Sequence, residues 1–389
     1  MNAPAVVLRK GKDKAVLNRH HWIFSGAVEH LPEFEDGTIL PVRSADGGLL
    51  GYAYFNKECS LIGRMVSFGS QAPLDAIKEA IESALRLRGL FFDETTTAYR
   101  LANGEGDRLP GLIVDRYGDQ LVLQITTLGM EKLKPHILEF LVKEFRPRSI
   151  YEKSNLPSRR EEGLSDAEGL LYGEMPGPVE ILESGLRFLI DIVHSQKTGF
   201  FLDQREMRRL VGGLAGGRNV LDCFSYSGGF SVYALNGGAR SVACVDVSEA
   251  ALGQAKENIR LNGFDPGRQN FFVEDVFQFL RDQDPGCDLV VLDPPAFAKK
   301  KADVIQACRG YKDINRLAMQ KMPPQSLLLT CSCSYFIDDG LFQQVVFQAA
   351  REAGRKVRIL QRHRQAFDHP VNIFHPESHY LKGFLLSVD

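Results

Sequence analysis

Two apolar runs in the second half of the chain stop abruptly at polar, reactive residues. Leu289-Val290-Val291-Leu292 leads into Asp293-Pro294-Pro295, and Ser326-Leu327-Leu328-Leu329-Thr330 leads into Cys331-Ser332-Cys333-Ser334. Upstream, Asn219-Val220-Leu221 runs into Asp222-Cys223-Phe224-Ser225-Tyr226-Ser227-Gly228-Gly229. In a parallel α/β sheet such runs are buried strands, and their carboxyl ends line a ligand crevice. A glycine-containing turn, an acid and a thiol would then meet at one crevice. A thiolate adding to C6 of a pyrimidine turns C5 into an enamine-like nucleophile able to accept a methyl group. A carboxyl group at Asp293 can hydrogen-bond a base edge. The chemistry these residue types suggest is methyl transfer to carbon 5 of a pyrimidine in RNA.

The turn Asp222 to Gly229 lacks the dinucleotide pattern G-x-G-x-x-G, but its small residues let backbone approach a ligand at a helix N-terminus. Asp246 ends the next apolar run, where an acid can accept both hydroxyls of a ribose. Asp275 follows a third run and is placed to meet an adenine amino group. Each acid alone reads equally well as a helix cap. Three at successive strand ends of one sheet read better as a site for S-adenosylmethionine. Cys331 and Cys333 project the same way if their strand is regular. Cys223, Cys244 and Cys287 lie in or beside strands and read as buried, inert thiols.

These groups need a scaffold, and a chain of 389 residues suggests more than one core. The expected fold class is α/β, with a mostly parallel, doubly wound sheet. Strands at 219–222, 241–246, 270–274, 288–293 and 326–332 alternate with helices beginning near Gly228, Ser248, Asp275, Asp303 and Asp338. Lys356–Gln361 and Tyr380–Val388 can add two strands, and Asp203 is a candidate N-cap. Residues 1–72 read as a small β-barrel with strands at Trp22–Val28, Thr38–Val42 and Leu49–Phe55. Residues 73–180 read as an α+β domain, with a helix from Pro73 to Gly89 and a hairpin around Gly118-Asp119. Ser158–Glu168 reads as a mobile loop. Residues 181–389 open with a hairpin turning at Ser184-Gly185 and carry the doubly wound part.

A net charge of −2 gives no global basic field, so any nucleic-acid contact must come from local clusters. Candidates are Arg9, Lys10, Lys12 and Lys14; Arg205, Arg208 and Arg209; and Lys299 to Lys301. Seven cysteines without paired spacing imply reduced thiols and a cytoplasmic location, and no metal site is expected. Neither a signal peptide nor a membrane-length apolar run is visible.

Several of these motifs together resemble the large-subunit ribosomal RNA cytosine-C5 methyltransferase family, over nearly the full length. They are Asp107-Arg108-Leu109-Pro110-Gly111-Leu112, Thr198 to Arg205, Asp222 to Gly229, Asp293-Pro294-Pro295, Arg309 to Asn315, Ser332-Cys333-Ser334 and Asp368-His369-Pro370. The resemblance implies a PUA-like RNA-binding barrel, a middle domain and a class I, Rossmann-like methyltransferase domain. It implies Cys333 as nucleophile and Asp293 as the acid contacting the target cytosine. It implies Asp222, Ser225, Gly228, Asp246 and Asp275 as cofactor positions, with Phe201 and Gln204 in a segment covering the cofactor. Large-subunit ribosomal RNA is the implied partner, with self-association into a homodimer left open. The competing readings are methylation of guanine N7 or uracil C5, and a non-catalytic RNA-binding assembly factor.

Overall fold

The computed structural model of the protein describes residues 4–175, 177–195, 197–284 and 286–389. Its contacts divide into two units. Unit 1 comprises Met1–Ile181, Ile190–Leu202 and Phe367–Ser378; unit 2 comprises Leu182–Leu189, Asp203–Ala366 and His379–Asp389.

Unit 1 holds two sheets. The first orders its strands Trp22–Ile23, Gly63–Phe68, Leu49–Phe55, Ile39–Arg43, Val6–Leu8, Val28–His30 around a small core containing Val6, Leu8, Phe55 and Met65. The expected single strand Trp22–Val28 is interrupted by a 3-10 turn at Ser25–Ala27. The second sheet has five strands, with Leu112–Tyr117 and Gln120–Ile125 joined as the expected hairpin. Helices Pro73–Arg88 and Leu128–Phe145 supply core residues beneath it, including Ile77, Ile81, Leu133 and Ile137.

The stretch Ser158–Glu168 is loop only over residues 162–166. Pro157–Glu161 is helical and Ala167–Gly173 pairs antiparallel with Ser149–Ser154. Proline's fixed φ suits the first helical position. Arg159, polar in sequence, is buried, and its Nη1 donates to Ile125 O at 3.0 Å and to Glu131 Oε2 at 2.8 Å.

Unit 2 carries a seven-stranded sheet. Its strands are β1 (Asn219–Cys223), β2 (Ser241–Asp246), β3 (Asn270–Val273), β4 (Leu289–Leu292), β5 (Ser326–Ser332), β6 (Val357–His363) and β7 (Lys382–Val388). Their spatial order is β3-β2-β1-β4-β5-β7-β6. The first five run parallel; β7 is antiparallel to both β5 and β6. The helices are α1 (Arg205–Leu214), α2 (Gly229–Asn236), α3 (Glu249–Leu261), α4 (Val276–Asp282), α5 (Val304–Lys321) and α6 (Asp339–Ala353). One core joins Leu221, Val245, Val290 and Leu328 of the sheet to Phe279 of α4, Ile314 of α5 and Phe342 of α6.

Two features of the α1 region depart from expectation. A 3-10 turn at Leu202–Gln204 precedes α1, so Asp203 does not cap it; Asp203 Oδ2 accepts from Tyr380 Oη at 2.7 Å. Arg205 and Arg208 are not a phosphate-binding face. Both are buried on Glu183, whose Oε1 and Oε2 accept from Arg208 Nε and Nη2 at 2.7 Å each, while Arg205 Nε donates to Oε2 at 3.2 Å.

Candidate active site

Parallel register levels the strand ends of unit 2. Cys223 pairs with Leu292, and Leu292 with Thr330, so Asp293 and Cys331 follow at one height and Cys333 lies beyond the ladder.

The turn after β1 is built from left-handed backbone at Phe224 (φ 60°), Tyr226 (φ 46°) and Gly228 (φ 75°). Non-glycine residues in this region cost energy and cluster at functional turns. Gly228 is also required by packing, because a Cβ there would stand 2.8 Å from Ala255 Cβ of α3. Asp222 is fully buried; Ser231 donates to its Oδ2 from both N (3.1 Å) and Oγ (2.6 Å). Burial pushes the Asp222 carboxyl up to about 7 against the pull of those two donors, with the Asp246 charge adding to the rise. Asp222 Oδ1 and Ser225 Oγ are buried with no hydrogen-bond partner among the described residues. Buried polar atoms are rarely left so, and two at one strand-end turn fit a polar ligand there.

Asp246 is half-buried at the end of β2. Its Oδ2 accepts from Tyr226 N and its Oδ1 from Ser248 N, at 2.9 Å each, tying it to the β1 turn. Asp275 is exposed and its Oδ1 accepts from Gln278 N at 3.0 Å, the helix-cap role for α4. Phe201 lies in unit 1, where Lys197 Nζ stands 4.2 Å from its ring centroid.

Gln204 is buried, and its Nε2 donates to Asp293 Oδ1 at 2.6 Å. Cys331 is buried within β5, 3.5 Å from Met207 Sδ, and burial and the nearby Asp293 charge push its thiol far up. Cys333, past the strand, is partly exposed, with Sγ 3.9 Å from Pro294 O. Ser334 Oγ ties three motifs together. It accepts from Ala298 N (3.1 Å), at the end of the segment after Asp293-Pro294-Pro295, and meets Tyr311 Oη of α5 (3.0 Å). Cys223, Cys244 and Cys287 are buried, and burial raises all three thiols, Cys287 to about 12.

Lys382 is the residue that sequence reading missed. It is 2% exposed, opposite Ser332 in the β5–β7 ladder, and its Nζ donates to Ser334 O (2.8 Å) and Tyr380 O (2.7 Å). Burial pushes it down to about 8, while Cys333 pulls it back up. One signal was available: Lys382 is a lone charge in the apolar run Leu381 to Leu386.

The chain matches the family model described as S-adenosylmethionine-dependent methyltransferase over residues 159–371, and a PUA-like domain over residues 6–68. It is 43% identical to "Ribosomal RNA large subunit methyltransferase I" of Vibrio cholerae serotype O1, over 99% of both chains. It is 40% identical to the protein of that name from Shewanella denitrificans, over 98% of this chain and 99% of the other. The chain belongs to the ribosomal RNA large subunit methyltransferase I family. A SAM-dependent methyltransferase from Streptococcus mutans shares the fold, with a TM-score of 0.84 at 23% identity, covering 99% of this chain and 100% of that one. The crystal structure of "SMU.776, a putative methyltransferase complexed with SAH" superposes with a TM-score of 0.85 at 24% identity over 99% and 100% of the two chains. The family's cofactor is therefore S-adenosylmethionine, and no helix among the described residues is long and apolar enough to cross a membrane.

Proposed function

We propose that the protein methylates C5 of a cytosine in large-subunit ribosomal RNA, through a covalent bond between Cys333 Sγ and C6 of the ring. The observation that carries this reading is the setting of Cys333. It stands past the end of β5, partly exposed, beside the Asp293-Pro294 turn, with a buried lysine tied to the next carbonyl. A thiolate needs access and a positive neighbour, whereas the alternative thiol, Cys331, is fully buried and the nearby Asp293 charge disfavours its thiolate.

The cofactor's holders are assigned to Asp222, Ser225, Gly228, Asp246 and Asp275 at the strand ends, with Phe201 and Gln204 in the covering segment. S-adenosylmethionine, when bound, supplies a methyl group activated as a sulfonium. Lys382 favours the Cys333 thiolate. Cys333 Sγ bonds to C6, and the electron pair of the C5–C6 bond moves to C5. Asp293 accepts from the exocyclic amine of the cytosine, and Gln204 fixes the carboxylate's orientation. After C5 is substituted, loss of its proton returns an electron pair to the ring and expels Cys333 from C6.

RNA carrying 5-fluorocytidine tests the reading, because a C5 that bears fluorine cannot lose a proton. Wild type and Cys331→Ser should form a covalent adduct stable to denaturing gels, and Cys333→Ser should not. An adduct lost only in Cys331→Ser would transfer the role to that thiol. No adduct in any variant would favour methylation of guanine N7.

A further inference from the structure

Unit 1 contains a cavity of about 350 Å³ whose lining includes none of the residues assigned to catalysis. Helix Pro73–Arg88 explains the hollow: it lines it with Ala76, Ala80 and Ala84, one turn apart, where longer apolar side chains would fill the space. Strand Gly63–Phe68 forms another wall, and Arg108, Asn372 and Phe374 complete it.

The wall is not wholly apolar. Ser67 is 2% exposed, and its Oγ has no hydrogen-bond partner among the described residues. His21 is buried with Nδ1 2.8 Å from Met65 O. A carbonyl only accepts, so Nδ1 carries the hydrogen and Nε2 keeps its lone pair. In the neutral ring Nε2 is therefore the acceptor.

The lining is also positively charged. Arg19 and Arg108 are exposed, and neither makes an ion pair among the described residues. The one acid in the lining, Asp107, is neutralised by Arg88, whose Nη1 and Nη2 donate to its two oxygens at 2.7 Å each. Phe374 presents a half-exposed ring.

A flat apolar group, an acceptor, a hydroxyl and two spare guanidiniums together fit a nucleobase on a sugar phosphate. Pockets for ligands of this size begin at about 300 Å³. We propose that this cavity receives one unpaired nucleotide of the RNA substrate, its base against Phe374 and facing Ser67 and His21, its phosphates at Arg19 and Arg108. The inference rests on the RNA reading above and adds a second anchoring point, distinct from the strand ends of unit 2. Sequence-selective RNA recognition works chiefly through such splayed, stacked bases.

The test uses the full chain and a fluorescein-labelled 12-nucleotide single-stranded RNA, followed by anisotropy from 50 to 200 mM KCl. The double variant Arg19→Ala/Arg108→Ala should bind about tenfold more weakly. The plot of log affinity against log salt should be shallower by about 1.4, at about 0.7 per lost phosphate contact. Ser67→Ala should weaken binding a few-fold with an unchanged slope. Cytidine or adenosine monophosphate at millimolar concentration should not displace the RNA; displacement would make this a free-nucleotide site and overturn the inference. Unchanged affinity and slope in a double variant that still melts like wild type and binds S-adenosylmethionine would also overturn it. If the variant does not fold, 4-thiouridine cross-linking of the wild type decides, with adducts expected on the peptides holding Phe68 and Phe374 and none there counting against the cavity. The two readings fail separately. A 5-fluorocytidine adduct with no cavity effect sinks only this inference, and cavity-dependent binding without an adduct sinks only the C5 assignment.

Discussion

Gln204 Nε2 donates to Asp293 Oδ1 at 2.6 Å, so the residue just before α1 holds the carboxylate at the end of β4. A hydrogen bond to a charged group contributes about 1.5–3 kcal/mol. Gln204→Ala should therefore slow single-turnover methyl transfer by about ten- to a hundredfold, with S-adenosylmethionine affinity changed less than threefold. Isothermal titration alongside rapid-quench kinetics separates the two. A fall in cofactor affinity with an unchanged rate would instead give Gln204 the cofactor-covering role.

Lys382 should set the reactivity of Cys333. Its ammonium, titrating at about 8, is charged at neutral pH and favours thiolate. Lys382→Met should raise the midpoint pH for iodoacetamide labelling of Cys333 by about one unit, and Lys382→Arg should leave it near wild type. Labelling is read at the Cys333 peptide by mass spectrometry. A midpoint unmoved in the methionine variant would reduce Lys382 to a structural tie.

Asp222 should give stability a pH dependence of unusual sign for a carboxyl group. Its folded value, about 7, lies above the ordinary carboxylate value of 3.8. The folded state therefore binds more protons, so the contribution is full below 3.8 and is lost as pH rises through about 7. Asp222→Asn removes the titration. Without cofactor, the variant should gain on wild type by roughly 2–4 kcal/mol between pH 4 and pH 8 in denaturant melts. A constant difference across that window would mean that Asp222 is ionised throughout.

Glu183 is expected to matter for folding. Glu183→Ala leaves the guanidiniums of Arg205 and Arg208 buried without their shared acid. Removing one partner of such a cluster costs about 3–5 kcal/mol. Thermal melts of Glu183→Ala should show this, and Glu183→Ala combined with Arg205→Met and Arg208→Met should recover part of it. A single variant as stable as wild type would show that water reaches those arginines.

The doubly wound sheet was legible because buried parallel strands advertise themselves as apolar runs, and Ser248, Asp275 and Asp338 mark helix starts by capping. Other features were hidden because tertiary partners reverse local character. Arg205 and Arg208 read as a basic face until Glu183 is seen beneath them. Ser158–Glu168 reads as solvated loop because its polarity conceals a buried Arg159 and a paired strand. No metal spacing was visible, yet folding brings candidate ligand atoms of His20, His375 and Glu377 within 4.8 Å. There Trp22 N donates to His20 Nδ1 at 3.2 Å, so the proton sits on Nε2, facing Glu377 at 3.2 Å. Nothing in the periodicity of Phe367–Ser378 announces that it packs with unit 1.

The strand order β5-β7-β6 has a consequence for biosynthesis. β7 is translated after both strands it separates, and it brings Lys382 to the loop that carries Cys333. A nascent chain that has emerged only as far as β6 holds an open slot between two strands, with unpaired ladder groups on each side. Its thiol loop also lacks the lysine. A chain that stops at β6 therefore lacks both the antiparallel ladder partner of β5 and the lysine beside the Cys333 loop. A product truncated before Lys382 would expose those strand edges and be prone to aggregate through them.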